Sequence, residues 1–365
     1  MSLVKANTYQ DASGGSNAVF SGVASPPNSM GFRNRIINGN MVIDQRNAGA
    51  SVTPASGQYL VDRFKAEHTA ASKFSGQRVT TAPAGFNNSL LLTSLSAYSV
   101  GSSDVFQVGQ VVEGFNIADF GWGTADAKAA TLSFWVRSSL TGTFGGVVIA
   151  GGGGYNLPVS YTISSANTWE YKTVSIPAPT TGSFGTSNDS GAILLWSLGC
   201  GTSLLGTPGS WTASTIRGVT GQVNLVATNG ATFYITGVQL EAGTNASAFE
   251  QIDYGRELMM CQRYCVLLDN DQCHVGAGVW YATTAAIYQM RLPVQMRAAP
   301  TLTNVSPTVA MYINGAALTG TAPTINTVNN SSVEFYTPVS SGSTTAGYGT
   351  SARYTAGKSL LTSEL

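Results

Sequence analysis

The sequence has little charge. Only 10% of its 365 residues are Asp, Glu, Lys or Arg, and the 18 basic side chains equal the 18 acidic ones. A nucleic-acid groove needs a basic excess, so DNA and RNA are excluded as expected partners. Histidine is rarer still, with His68 and His274 alone. No Ser-His-Asp set can be read from them, and the Gly-x-Ser-x-Gly signature is missing. Cysteine is sparse too, at positions 200, 261, 265 and 273, which is no disulfide framework. Cys261, Cys265, Cys273 and His274 can be drawn as a zinc set, but they lack the repeated pair spacing of structural zinc sites. They read instead as small buried hydrophobes, and no metal or other cofactor is expected. No apolar run approaches the ~20 residues of a membrane span, so insertion into a membrane is not expected. Met1 to Gln10 is polar and no apolar core follows, so no signal peptide is expected.

Glycine, in contrast, is abundant at 42, and Ser, Thr and Asn recur throughout. This is the vocabulary of short strands and tight turns. Strands are expected at Ser89–Ser94, Asp104–Glu113, Ala130–Arg137, Gly145–Ala150, Pro158–Ile163, Trp169–Ile176, Ala192–Leu198, Gly221–Ala227 and Thr232–Leu240. In LSFWVRSS, Leu132, Phe134 and Val136 share one face while Ser133, Trp135 and Arg137 share the other. Eight to ten strands without a long helix predict an all-β fold of two antiparallel sheets packed face to face. Upstream, Asn38-Gly39 reads as a tight turn, and Tyr59 to Phe64 opens a strand on which Asp62 and Arg63 point to opposite faces.

The stretch Thr232 to Cys265 organises the rest. Phe233, Ile235, Val238 and Leu240 are apolar, and Gly237 breaks their alternation as a β-bulge would. After a turn at 242–245, Tyr254, Leu258, Cys261 and Cys265 fall on one helical stripe. The expected layout is an extended N-terminal arm over 1–30, a β-sandwich over 31–250, a short linking helix over 251–266, and a smaller C-terminal β domain over 267–365. The arm lacks any sustained apolar period: it either orders only against a partner or is a disordered tail.

The candidate chemistry is that of binding. Trp122 in FGWGTAD, Tyr155 in GGGGYNLP and Trp211 in GTPGSWTAS lie in glycine-rich connections. Flat rings on loops suit stacking against the apolar faces of sugars; the competing reading is that they plug the end of the sandwich. Trp135, Trp169 and Trp196 lie within strands and are read as structural. Glu113 with Asp119 or Asp126 is the nearest approach to a hydrolase carboxylate pair, a chemistry that spatial separation decides. Gly151 to Gly154 is not followed by a helix and so is not a phosphate cradle. No catalytic residue is assigned.

Three stretches together carry a resemblance. RNRIINGNMVIDQRNAG followed by YLVDRF resembles the opening of tailed-phage fibre and receptor-binding virion proteins, especially of cyanophages and other marine phages. TFYITGVQLEAGTNASAFEQIDYGRELMMCQRYC resembles their junction, and MRAAPTLT with the ending YTAGKSLLTSEL resembles their C-terminal segment. LSFWVRSS and NTWEYKTVSIP are similar to strands of the jelly-roll carbohydrate-binding modules of such fibres. The resemblance implies a non-enzymatic virion component, made in the host cytoplasm and released by lysis. It further implies a homotrimer attached to tail or capsid proteins through residues 1–30. It transfers no binding site; Trp122, Tyr155 and Trp211, read from their loops alone, are the residues expected to contact a host surface polysaccharide or lipopolysaccharide. The alternative is a purely structural head or tail decoration.

Overall fold

The computed structural model describes residues 32–269, 275–313 and 316–365. The expected arm over 1–30 and the Cys273-His274 pair lie outside the described residues. The fold is all-β, as the strand pattern predicts. Eleven strands make two antiparallel sheets stacked as a jelly-roll sandwich. The first sheet has the order β1 (Tyr59–Val61), β2 (Phe64–His68), β5 (Val105–Glu113), β10 (Ser190–Cys200), β7 (Gly142–Ala150), β8 (Asn156–Ile163). The second has the order β3 (Phe74–Val79), β4 (Ser89–Ser94), β13 (Thr232–Ala242), β6 (Ala130–Ser138), β9 (Glu170–Ile176). A two-stranded parallel pair, β11 (Leu205–Gly206) and β12 (Gly218–Val219), accompanies them.

Between the two large sheets lies one core, in which Phe64, Phe106, Phe134, Phe144, Phe233 and Ile235 are completely buried. Burying each of these side chains contributes roughly 1.5–3 kcal/mol. Phe134 stands edge-on to Trp196, with ring centroids 5.5 Å apart, so Trp196 is structural as expected.

Three local expectations are corrected. Gly221–Ala227 is not a strand: after Gly218–Val219 the chain turns, and Leu225–Ala227 is one 3-10 turn whose Leu225 and Val226 cap the core. Asp62 and Arg63 are not strand residues on opposite faces. They form the buried turn between β1 and β2, with Arg63 at φ 70°. The helix α1 is shorter than its stripe, running Tyr254–Gln262 from the cap of Asp253, whose carboxylate accepts from Arg256 N. Tyr254 is 63% exposed while Glu257 is buried, because the Glu257 carboxylate accepts from the backbone N of Asn38 in the Asn38-Gly39 turn. Cys265 already begins the next strand.

The remaining strands, β14 (Cys265–Asp269), β15 (Gly276–Ala282), β16 (Ala285–Arg291), β17 (Thr301–Ile313), β18 (Ala316–Gly320), β19 (Thr324–Val328), β20 (Ser332–Pro338) and β21 (Gly349–Thr362), form one antiparallel sheet. It curls over its own core of Trp280, Tyr288, Met311, Phe335 and Tyr354. Thr321 N donates to Pro338 O and Ser340 N to Thr319 O, which brings opposite ends of the sheet order together.

A buried polar junction joins this sheet to the sandwich. The Arg63 guanidinium lies 3.5 Å over the Tyr264 ring, pairs with Glu364, and donates to Val111 O. Arg46 reaches the same Glu364 at 2.6 Å. On its other side Tyr264 donates to Glu113, which also accepts from Arg263 Nε at 2.8 Å. Burial alone would raise the Glu113 carboxyl, but hydrogen bonds from Arg263 and Tyr264 outweigh it and hold the group below its ordinary range.

Candidate functional site

The site is assembled by the outward face of the five-stranded sheet. On β6, Leu132, Phe134 and Val136 enter the core, which obliges Trp135 and Arg137 to point away from it. Tyr171 on β9 sits directly across from Trp135, with ring centroids 5.4 Å apart and planes at 50°. Tyr171 is 42% exposed.

The organising stretch supplies the rest. The register of β13 against β6 slips between Thr236 and Gln239, with Gly237 at φ 61°. That extra residue resets the alternation, so Val238 and Leu240 face the core and Gln239 and Glu241 do not. Glycine is required at 237 for a second reason: a Cβ there would lie 2.7 Å from Phe86 Cζ and 3.1 Å from Trp135 Cδ1. The two rings therefore close over bare backbone.

Gln239 and Glu241 then fold the following loop back. Gln239 Nε2 donates to Glu241 Oε1 at 2.8 Å, and its Oε1 accepts from Glu250 N at 2.8 Å. Glu241 accepts from both the N and the Oγ of Ser247, at 2.8 and 2.5 Å. Glu250 in turn accepts from Asn34 N at 2.6 Å. Pinned at these points, the loop sets Phe249 against Phe86, edge to face at 5.2 Å.

The result is an open groove of about 610 Å³ lined chiefly by Phe86, Trp135, Tyr171, Ser247, Phe249 and Gln251. Among the described residues, none of its lining side chains is Asp, Glu, Lys, Arg or His. Aromatic rings with a few hydroxyl and amide groups at the wall match the needs of an uncharged, amphipathic ligand. The opposite, six-stranded sheet has chain across its outward face. Gln107 Nε2 donates to Arg217 O, Gln222 Nε2 to Ser197 Oγ, and Asn156 pairs with Thr212.

The structure brings Trp122, Tyr155 and Trp211 together, but as a packed cluster. Tyr155 and Trp211 stack on each other, 5.4 Å apart and 8° from parallel. Trp211 meets Trp122 at 6.2 Å, and Phe184 fills the angle between them. Trp122 is 5% exposed, belongs to the sandwich core, and donates its indole N–H to Lys128 O at 2.8 Å. Trp211 donates likewise to Pro177 O at 2.7 Å. Trp122 has no free face for a sugar, whereas Tyr155 and Trp211 stay partly exposed beside it.

Trp135, read from sequence as structural, instead lines the groove. Its signal was the period-2 alternation in LSFWVRSS, which already set it opposite Phe134. Phe86 and Phe249 had no such signal, since each stands in irregular chain. Glu113 and Asp119 are each engaged elsewhere, Glu113 by Arg263 and Tyr264, Asp119 by Arg35 at 2.9 Å. Cys200, Cys261 and Cys265 are free and buried, and burial pushes the Cys200 thiol up to about 11. No group of three or more His, Cys, Asp or Glu placed to hold a metal ion occurs among the described residues.

No protein-family model matches the chain, and no curated protein does. Among solved structures, it is similar to the enzymatically active domain of tailspike protein 4 of bacteriophage CBA120, at 12% identity and a TM-score of 0.32. That match covers 57% of this chain and 21% of the tailspike chain, about a fifth of its length. It is also similar to TmCBM61, solved in complex with beta-1,4-galactotriose, at 10% identity and a TM-score of 0.30, over 58% of this chain and 99% of that one. A family 11 carbohydrate-binding module of a Clostridium thermocellum cellulosomal cellulase matches at 11% identity and a TM-score of 0.27, over 53% and 99% of the two chains.

Proposed function

We propose that this chain is a non-enzymatic receptor-binding fibre protein of a tailed-phage virion, and that it holds a host surface glycan in the Trp135 groove. The observation that carries the reading is the groove itself: four aromatic rings around an open, uncharged trough on one sheet face. Pyranose rings present apolar C–H faces and a rim of hydroxyls, which suits rings below and Ser247 or Gln251 beside them. The sequence resemblance supports the virion setting, with residues 1–30 as the attachment arm and a homotrimer as the working form. Several grooves on one assembly would turn weak single-site binding into avidity. The ligand would be a surface polysaccharide or lipopolysaccharide, and the protein would reach it from the tail or capsid surface after lysis.

The test is binding of the purified oligomer to a panel of bacterial cells and their extracted surface glycans, with Trp135→Ala beside the wild type. Selective binding that Trp135→Ala removes, with the oligomer intact, is the expected result. Failure of a well-folded oligomer to bind any glycan or cell would overturn it and favour structural decoration, with the groove rings covered by another subunit.

A further inference from the structure

The aromatic face does not end at Trp135 and Tyr171. Arg137 lies two residues beyond Trp135 on β6 and so returns to the outward face, and Trp169, the residue just before β9, reaches the same face through its contact with Tyr234. Tyr234 on β13 is paired in register with Arg137, and Trp169 meets the Tyr234 ring edge-on at 6.0 Å. The Arg137 guanidinium lies 5.0 Å over the Tyr234 ring, and its Nε donates to Asn167 O at 2.9 Å. This second group is fixed in place, and both Trp169 and Tyr234 are partly exposed. Two residues of strand rise separate it from the first, about 7 Å, on the scale of one sugar unit.

We propose that Trp169 and Tyr234 form a second subsite in line with the groove. The site therefore takes a linear glycan chain lying parallel to β6 and β9 rather than a terminal sugar or a disaccharide. The proposal rests on the reading of the Trp135 groove as a glycan site and adds its length and direction. Trp135, Tyr171 and Phe86 hold one end of the chain. The groove, from Phe86 and Phe249 to Trp135 and Tyr171, takes the first two sugars; Trp169 stacks on the third, and Arg137 is a positioning residue that keeps the Tyr234 ring upright beside it.

The consequence is a dependence on chain length. Titration calorimetry of the full chain would use linear gluco-, galacto-, manno- and xylo-oligosaccharide ladders of two to six units. In the ladder that binds, affinity should rise about tenfold between two and four units and then level off, as one added aromatic contact allows. Trp169→Ala should remove that gain and leave two-unit binding unchanged, Trp169→Phe should keep most of it, and Trp135→Ala should remove binding at every length. Equal affinity for two and four units, or a Trp169→Ala loss that is the same at both lengths, would overturn the second subsite and leave the groove standing. Absence of binding to every ladder by protein with wild-type thermal stability would overturn the groove and its extension together.

Discussion

Two groups of aromatic rings occupy the same sandwich and do different work. Trp122, Tyr155 and Trp211 come from glycine-rich loops yet spend their faces on one another, with two indole N–H groups committed to backbone carbonyls. Trp135 and Tyr171 come from strands, Phe249 from a pinned loop and Phe86 from the connection between β3 and β4, and they leave a trough between them. The difference lies in what stands behind each ring. A loop is free to bend until its rings are covered, and apolar area removed from water rewards that. A strand residue opposite a core residue has no such freedom, because turning it inward would expel Phe134 or Val136. Trp135 is thus held outward by its strand, whereas Trp122 is drawn into the core.

The largest loss is expected at Trp122, the most buried ring of the loop cluster. Trp122→Ala should cost about 3–5 kcal/mol in urea unfolding, since it empties a packed end of the core and strips Trp211 and Phe184 of their neighbour. A loss below about 1 kcal/mol would mean that the cluster is a surface feature after all.

Gly237→Ala comes next. The new methyl would intrude on Phe86 and Trp135 from a backbone at φ 61°, so a loss of about 1–3 kcal/mol is expected in thermal unfolding. Glycan binding should fall with it even at temperatures where the variant is fully folded. Retained binding would show that the two rings need not close over the bulge.

Smallest in stability, and most specific, is Tyr171→Ala. Its ring is half in water, so unfolding should shift by less than about 1 kcal/mol. Its affinity for glycan should nonetheless drop several-fold, while Tyr155→Ala leaves affinity where it was.

The sheets were legible because alternation and turn residues repeat over long spans, and nearly every expected strand between 89 and 242 falls where a strand is found. The bulge at Gly237 was legible too, since a misplaced glycine in ITGVQLE leaves a visible break in phase. What that bulge does was not. Phe86 is 151 positions away from Gly237, and nothing local ties them. The same holds for the Gln239 and Glu241 hydrogen bonds, which read as two ordinary polar residues of a strand until the loop is seen folded onto them. Asp62 and Arg63 misled for a related reason. A buried Arg at positive φ is tolerated only because Glu364, Tyr264 and Val111 surround it, and all three are distant in sequence.

The Trp135 face, and not the loop cluster, is proposed to meet the ligand. Hydroxyl-radical footprinting of the oligomer, with and without a saturating glycan, measures both faces in one sample. Protection of Trp135 and Tyr171 on binding is expected, with Trp122 unreactive throughout and Tyr155 and Trp211 unchanged. Protection confined to Tyr155 and Trp211, with Trp135 as reactive as before, would contradict it.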